Sequence, residues 1–245
     1  MAHGEIGNRK VLIVGGSSGM GLALARRCLD DGAKVIIVGR NSGRLERALE
    51  ALQAPAASDA IAVDIAREDQ VADLFRRVGE IDHIVSTAAD IEGAYQLLPS
   101  LELEAAQRVV ESKFYGPLLL AKHGAPALSQ AGSITFTSGI AAYRPSARGS
   151  VVAAINAALE GLVRALAIEL APIRVNAVSP GWVDTPIWAQ VAGDKKDDTL
   201  SAMAQRLPVG RVGQPDDIAD AIRFLMGNTF TTGAILHVEG GHRLI

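Results

Sequence analysis

Short apolar runs alternate with longer amphipathic segments along this chain. Most of the runs are continuously apolar, as expected for parallel strands that are buried on both faces. The seven predicted strands lie at residues 11–14, 34–38, 60–64, 83–87, 133–138, 173–179 and 234–239. The predicted helices lie between them, at residues 19–31, 41–53, 67–79, 102–128, 150–171 and 215–227.

This alternation predicts an α/β fold: a single domain over residues 1–245 with a Rossmann-like, doubly wound parallel sheet of about seven strands and helices on both faces. Right-handed crossovers place the ligand site beyond the carboxyl ends of the strands. Residues 186–212 interrupt the alternation, because they are polar and irregular. They are interpreted either as a lid over the site or as an ordinary surface excursion.

The composition limits the classes of protein to which this chain can belong. Of the 245 residues, 49% are hydrophobic, which is ample for one buried core, and a net charge of −3 offers no basic surface for nucleic acid. The polar N-terminus and the absence of a long uncharged apolar run predict neither a secretory signal nor a membrane span. Residues 151–171, the most apolar stretch, are interpreted as a core helix. We expect a soluble, cytoplasmic protein.

The lone Cys28 excludes an internal disulfide and a cysteine-based metal site. It falls among apolar helix positions, so we expect a buried thiol rather than a reactive one. No metal site is expected.

The first predicted strand is followed by a glycine-rich turn, GGSSGMG, and then by an apolar helix. This order is typical of a turn that cradles a pyrophosphate, because the helix N-terminus offers free N–H groups and a partial positive charge. Gly15 allows the tight turn, Gly19 lets the backbone approach the phosphates, and Gly21 lets the helix pack close to the sheet. The cofactor-binding residues expected here are Gly15, Ser17, Ser18, Gly19, Met20 and Gly21.

The end of the second predicted strand, VIIVGRN, indicates which dinucleotide binds. Proteins that prefer NAD usually place an Asp or Glu there, which holds the ribose 2′-hydroxyl and repels a 2′-phosphate. This chain has Gly39 and Arg40 instead, and a guanidinium forms paired hydrogen bonds with phosphate. With Ser17 as a further donor, the sequence predicts NADP(H). The alternative for Arg40, a solvated loop charge, leaves the missing acid unexplained.

Two segments, VLIVGGSSGMG at residues 11–21 and IRVNAVSPGWVDT at residues 173–185, resemble the short-chain dehydrogenase/reductase family. The resemblance covers nearly the whole chain, through LPVGRVGQPDDIADAIRFL and the closing VEGG. It implies a nicotinamide dinucleotide along the carboxyl edge of the sheet. The further contacts that it implies are Asp64 and Ile65 at the adenine, Ala88 along the groove, and the Val183 backbone and Thr185 hydroxyl at the carboxamide.

Two departures from the family affect this groove. Val14 stands where the family usually has Thr, so a hydroxyl that helps to fix the glycine-rich turn is lost. Residues 86–89, Ser-Thr-Ala-Ala, replace the family's Asn-Asn-Ala-Gly. The replacements are small, so we expect the groove to stay open with a backbone that is arranged differently.

The resemblance implies that Ser138, in SITFTSGIAAY, polarises a substrate carbonyl; a strand-terminal capping serine is the alternative. In the family, a Tyr-x-x-x-Lys pair on the next helix carries the proton and holds the ribose. Here Val152 and Asn156 stand at those positions, and a shift of one residue also gives neither Tyr nor Lys. Because valine neither donates nor accepts a proton, the standard mechanism cannot operate.

The family's active-site asparagine aligns with Lys113, so the chain has Lys where Asn is expected and Asn156 where Lys is expected. One interpretation is a positional swap that keeps one cation and one amide in the same cavity, with Lys113 and Asn156 at the cofactor ribose or the substrate oxygen. Desolvation would depress the pKa of such a lysine and make it a usable acid or base. The other interpretation is drift after catalysis was lost.

Tyr143, five residues beyond Ser138, is the best replacement for the missing tyrosine, although a packing or substrate-wall aromatic is the more common role at such a place. Trp182 and Trp188 flank the carboxamide motif and are interpreted as a bulky substrate wall, with a core position as the alternative for Trp182.

Two functional hypotheses follow. The favoured one is an NADP(H)-dependent oxidoreductase that acts on a small carbonyl or alcohol through a rearranged active site, since hydride transfer needs only cofactor and substrate in the right geometry. The alternative is a non-catalytic NADP(H)-binding sensor or structural partner subunit. The family resemblance also implies a homotetramer or homodimer in which helices 102–128 and 150–171 pair between subunits.

Overall fold

The computed structural model describes residues 6–245, except for the side chain of Gln190. Seven strands form one sheet in the order β3-β2-β1-β4-β5-β6-β7, and every pairing is parallel. The strands are β1 (Lys10–Val14), β2 (Lys34–Gly39), β3 (Ser58–Ala62), β4 (Ile81–Ser86), β5 (Leu128–Thr137), β6 (Arg174–Pro180) and β7 (Ile235–Val238). The predicted doubly wound, Rossmann-like sheet is confirmed.

Helices cover both faces of the sheet. They are α1 (Gly19–Asp30), α2 (Ser42–Leu52), α3 (Glu68–Val78), α4 (Leu103–Val110), α5 (Gly116–Gly124), α6 (Ser150–Glu169), α7 (Ile187–Ala192), α8 (Lys196–Arg206) and α9 (Pro215–Gly227). The apolar sides of α1, α2 and α9 pack into one core cluster, and those of α3, α5 and α6 pack into another. The strands between them are buried on both faces, which explains their continuous apolar runs.

The predicted helix over residues 102–128 is interrupted. A π-helical turn at Glu111–Tyr115 separates α4 from α5. Pro117 has no N–H for the helical ladder, and the Ser112 hydroxyl donates to the Arg108 carbonyl at 2.8 Å, so both residues loosen the α-helical pattern. Single π turns are frequent at functional sites, and this one carries Lys113.

The expectation of an irregular segment at residues 186–212 is wrong for most of its length, because α7 and α8 form there. The acidic pair Asp197 and Asp198 falls in the first turn of α8, where negative charge interacts favourably with the positive end of the helix.

By length and composition alone, α6 is apolar enough to cross a membrane. In the fold, Val152, Leu159 and Val163 on its inner face are buried against the rest of the molecule, as expected for a core helix. The prediction for Cys28 is also confirmed. Its thiol is fully buried, and burial, with a smaller contribution from the Asp31 carboxylate, raises its pKa to about 12.

Candidate functional site

A cleft of about 570 Å³ opens at the carboxyl edge of the sheet. Its volume lies within the range of about 300–1,000 Å³ that is typical of small-molecule and cofactor sites. The cofactor-binding residues predicted from sequence that line it are Gly15, Ser17, Ser18, Gly19, Met20, Arg40, Asp64, Ile65, Ala88 and Thr185. Gly21, Asn156 and Val183 do not line this cleft.

The glycine-rich turn has the geometry that close approach of a phosphate requires. Gly15 and Gly19 adopt φ values of +83° and +51°, which L side chains rarely adopt. A Cβ atom on Gly15 would lie 2.7 Å from the Thr87 hydroxyl, and one on Gly19 would contact Thr185. Gly21 lies beneath the turn, where a Cβ atom would meet the Gly15 carbonyl. A nicotinamide dinucleotide therefore fits this cradle, with its pyrophosphate at the N-terminus of α1.

Thr87, the residue directly after β4, holds this turn in place. Its hydroxyl donates to the Val14 carbonyl oxygen at 3.2 Å. The sequence predicted that Val14 deprives the turn of a hydroxyl, and the structure places another one in contact with the same turn. Sequence reasoning missed Thr87 because the contact joins residues 73 positions apart.

The adenosine end of the cleft is rich in arginine. Arg44 and Arg47, on the first two turns of α2, line the cleft together with Arg40. Sequence reasoning missed them, although their spacing from Arg40 places them on the helix that follows the same strand. Arg40 forms an ion pair with Asp90 at 2.8 Å. A Cβ atom on Gly39 would lie 3.9 Å from the Ser17 hydroxyl, so an acid at position 39 would stand among these groups.

The Trp182 and Trp188 rings stack with their centroids 4.4 Å apart, and neither tryptophan lines the cleft. The Trp188 indole N–H donates to the Val183 carbonyl at 2.8 Å. Thr185, which lines the cleft, and the Val183 carbonyl are therefore held next to a rigid aromatic pair.

Ser138 directly follows β5 and is buried. Its hydroxyl lies 2.8 Å from Glu160 Oε1 and 3.3 Å from the Asn156 carbonyl oxygen. Val152, at the position of the family tyrosine, is buried in a small apolar cluster that includes Ile91 and Val109.

Lys113 and Asn156 flank the same segment. The Lys113 ammonium donates to the carbonyl oxygens of Thr137 at 3.1 Å and of Ser138 at 3.3 Å, and its burial lowers its pKa to about 8. Asn156 is buried too. Its amide packs so closely on Gly139 that a Cβ atom there would lie 2.8 Å from Asn156 Nδ2. Its Oδ1 atom has no hydrogen-bond partner among the described residues. One cation and one unsatisfied amide therefore lie beside Ser138.

Tyr143 joins this group through Glu160, a residue that sequence reasoning treated only as a polar position in a core helix. The Tyr143 hydroxyl donates to Glu160 Oε2 at 2.5 Å, and Glu160 is only 4% exposed. The available signal was spacing: Val152, Asn156 and Glu160 are successive i, i+4 positions and therefore share one face of α6.

Known proteins resemble this chain both in sequence and in fold. A family model described as enoyl-(acyl carrier protein) reductase matches residues 14–243. The short-chain dehydrogenase/reductase ATR9 of Stachybotrys chlorohalonatus is 36% identical, over 96% of this chain and 97% of its own length.

Two solved structures share the fold. The MalC reductase/Diels-Alderase from Malbranchea aurantiaca has a TM-score of 0.91 at 33% identity, covering 99% of each chain. A small-chain dehydrogenase in complex with NADPH has a TM-score of 0.83 at 34% identity, covering 97% of this chain and 100% of the other. Both cover nearly all of the chain described above.

Proposed function

Because the chain belongs to the short-chain dehydrogenase/reductase family, we propose that it is an NADP(H)-dependent oxidoreductase that interconverts a small carbonyl compound and its alcohol through a rearranged active site. The observation that carries this proposal is the position of Lys113. The described partners of the Lys113 ammonium are two backbone carbonyls. Burying a charge with only these partners lowers the free energy of unfolding. Its retention beside Ser138 therefore favours a functional role over drift.

The preference for NADP(H) rests on the adenosine end of the cleft. Arg40, Arg44 and Arg47 line it, and Gly39 stands where an NAD-preferring protein carries an acid. Guanidinium groups match the geometry and the charge of a 2′-phosphate. The similar structure that binds NADPH supports the same assignment.

The bound nicotinamide would supply the hydride, and the protein supplies orientation and charge. Ser138 lies at the carboxyl edge of the sheet, where it would contact the substrate oxygen. Lys113 has three N–H donors and uses two of them on the Thr137 and Ser138 carbonyls, so one remains for a ligand. Its positive charge would stabilise the negative charge that develops on that oxygen. Asn156 offers an unsatisfied amide oxygen to the same ligand.

The test is NADPH consumption by the purified protein across aldehydes, ketones, diketones and quinones. We expect Lys113→Met and Ser138→Ala each to lower turnover by about 10²–10⁴-fold. Lys34→Met, which removes an exposed lysine from the opposite end of the sheet, is the matched control and should leave turnover unchanged. Tryptophan fluorescence would report NADPH binding in every variant. Tight binding without turnover on any substrate would instead support the sensor or partner-subunit alternative.

One similar protein is described as both a reductase and a Diels-Alderase. The missing Tyr-Lys pair makes a cycloaddition a second candidate for this chain, because that reaction has no proton to transfer. Incubation with tethered diene–dienophile substrates, with and without NADPH, distinguishes the two candidates. Formation of one stereoisomer in excess over the uncatalysed mixture would favour cycloaddition.

A further inference from the structure

Glu160 is a buried carboxylate that the chemistry above does not use. It lies on α6 one turn beyond Asn156, and its two oxygens accept from two different hydroxyl groups, those of Ser138 and Tyr143. A buried polar group is costly unless it is hydrogen-bonded. The Glu160 carboxyl group is hydrogen-bonded to both hydroxyl groups, and among the described residues it forms no ion pair.

The contact with Ser138 constrains what that serine can do. A serine hydroxyl carries one proton, so Ser138 cannot donate to a substrate oxygen while its proton points to Glu160. It regains a donor for the substrate when the Glu160 carboxyl group itself carries a proton and donates it to Ser138. The 2.8 Å separation between Ser138 Oγ and Glu160 Oε1 suits transfer in either direction.

The contact between Glu160 and Tyr143 extends the hydrogen-bonded series from Ser138 to a side chain that is partly exposed to solvent. Tyr143 is 44% exposed, and its ring packs edge-on against His237 with the centroids 4.6 Å apart. Desolvation, together with the hydrogen bond and charge of Glu160, raises its pKa, so it is a neutral donor near neutral pH. The other charged groups that face this hydroxyl are Arg164 and Arg243.

We propose that Tyr143, Glu160 and Ser138 form a proton relay from solvent to the substrate oxygen, in which Glu160 supplies the proton that the family tyrosine supplies elsewhere. This inference rests on the proposed oxidoreductase function. The bound nicotinamide would supply the hydride to the carbonyl carbon. The C=O π electrons would then move to the oxygen, which would take the Ser138 proton. Ser138 takes a proton from the Glu160 carboxyl group, which regains one from Tyr143, and solvent reprotonates Tyr143. Alcohol oxidation runs the same transfers in reverse.

The first test is steady-state kinetics of Glu160→Gln, which keeps the size of the side chain but not its acid. We expect kcat for carbonyl reduction to fall about 10²–10⁴-fold and the NADPH dissociation constant to stay within about twofold. Tyr143→Phe, which alters an exposed group, should lose about tenfold or less, because water can reach Glu160 in its place. Glu169→Gln, on the same helix but exposed, is the control.

A second readout needs neither cofactor nor turnover. The ultraviolet absorbance of tyrosinate, compared between wild type and Tyr143→Phe, isolates the titration of Tyr143. Glu160→Gln removes a charge and a hydrogen bond that raise the pKa of Tyr143, so this titration should move to lower pH. An unmoved titration, or undiminished turnover in Glu160→Gln, would overturn the relay alone. A wild-type protein that binds NADPH but turns over nothing would overturn the proposed function and the relay together.

Discussion

At the scale of single residues, burial of the Lys113 ammonium lowers the stability of the fold at neutral pH. Its pKa of about 8 in the folded protein lies below the ordinary value of 10.5, so the unfolded chain binds this proton more tightly. Stability therefore rises with pH between about 8 and 10.5, and the cost of burying the charge is present in full below that window. The difference between the two pKa values corresponds to about 3 kcal/mol, at about 1.4 kcal/mol for each pKa unit.

This cost predicts a pH-dependent difference between wild type and Lys113→Met. We expect the free energy of unfolding of the wild type to gain about 1–3 kcal/mol relative to the variant as pH rises from 7 to 10, because only the wild type buries a titrating amine. Urea unfolding at a series of pH values measures it. The same comparison with Lys34→Met, whose lysine is exposed, should show no such trend. Parallel curves for wild type and Lys113→Met would mean that Lys113 is solvated.

Gly39 carries a second prediction, for cofactor preference. A Cβ atom at this position would make only ordinary contacts with Leu45 and Ser17, so a side chain fits there. Gly39→Asp should weaken NADPH binding about tenfold or more, because its carboxylate repels a 2′-phosphate, and should improve NADH binding. Gly39→Asn has the same size without the charge and should change the NADPH:NADH ratio far less. Equal effects of the two variants, measured by fluorescence titration, would exclude an electrostatic cause.

At the scale of elements, the sequence predicted the strands well and the two irregular regions poorly. The seven strands are recognisable because a parallel sheet buried on both faces requires continuous apolar runs. The π turn at Glu111–Tyr115 was not predicted, because it is a single turn between two apolar helical segments that look continuous in the sequence. The helix α7 was missed because six residues are too few to show a helical period, and α8 was missed because its polar composition gives little periodic signal.

The residues of the candidate site also divide into those that the sequence predicted and those that it missed. Ser138, Lys113 and Asn156 follow from motif positions, since each lies at a fixed place relative to a strand end or a helix. Glu160 and Thr87 act through contacts with residues distant in sequence, and only the fold brings those partners together. Lys113 lies in the π turn, where regular α-helical spacing does not predict which side chain is buried.

At the scale of the whole molecule, α6 serves two purposes on opposite faces. Its inner face presents Asn156 and Glu160 to the active site. Its outer face exposes a row of small or apolar side chains at successive spacings of four, seven and three residues, which share one side of a helix. The exposed members of this row are Ala154, Ala158, Ala165 and Ile168, and Ile168 is 83% exposed.

Such a face suits close packing against the same helix of a second copy, so we expect a homodimer or homotetramer in solution. Ala158→Arg should reduce the assembly to a smaller species by placing a long cation on this face, and light scattering coupled to size exclusion measures the mass. Ala56→Arg, the same change in an exposed loop, should leave the mass unchanged. NADPH binding should persist in Ala158→Arg, because Ala158 does not line the cleft. A monomeric wild type, or an unchanged mass in Ala158→Arg, would show that α6 does not mediate assembly.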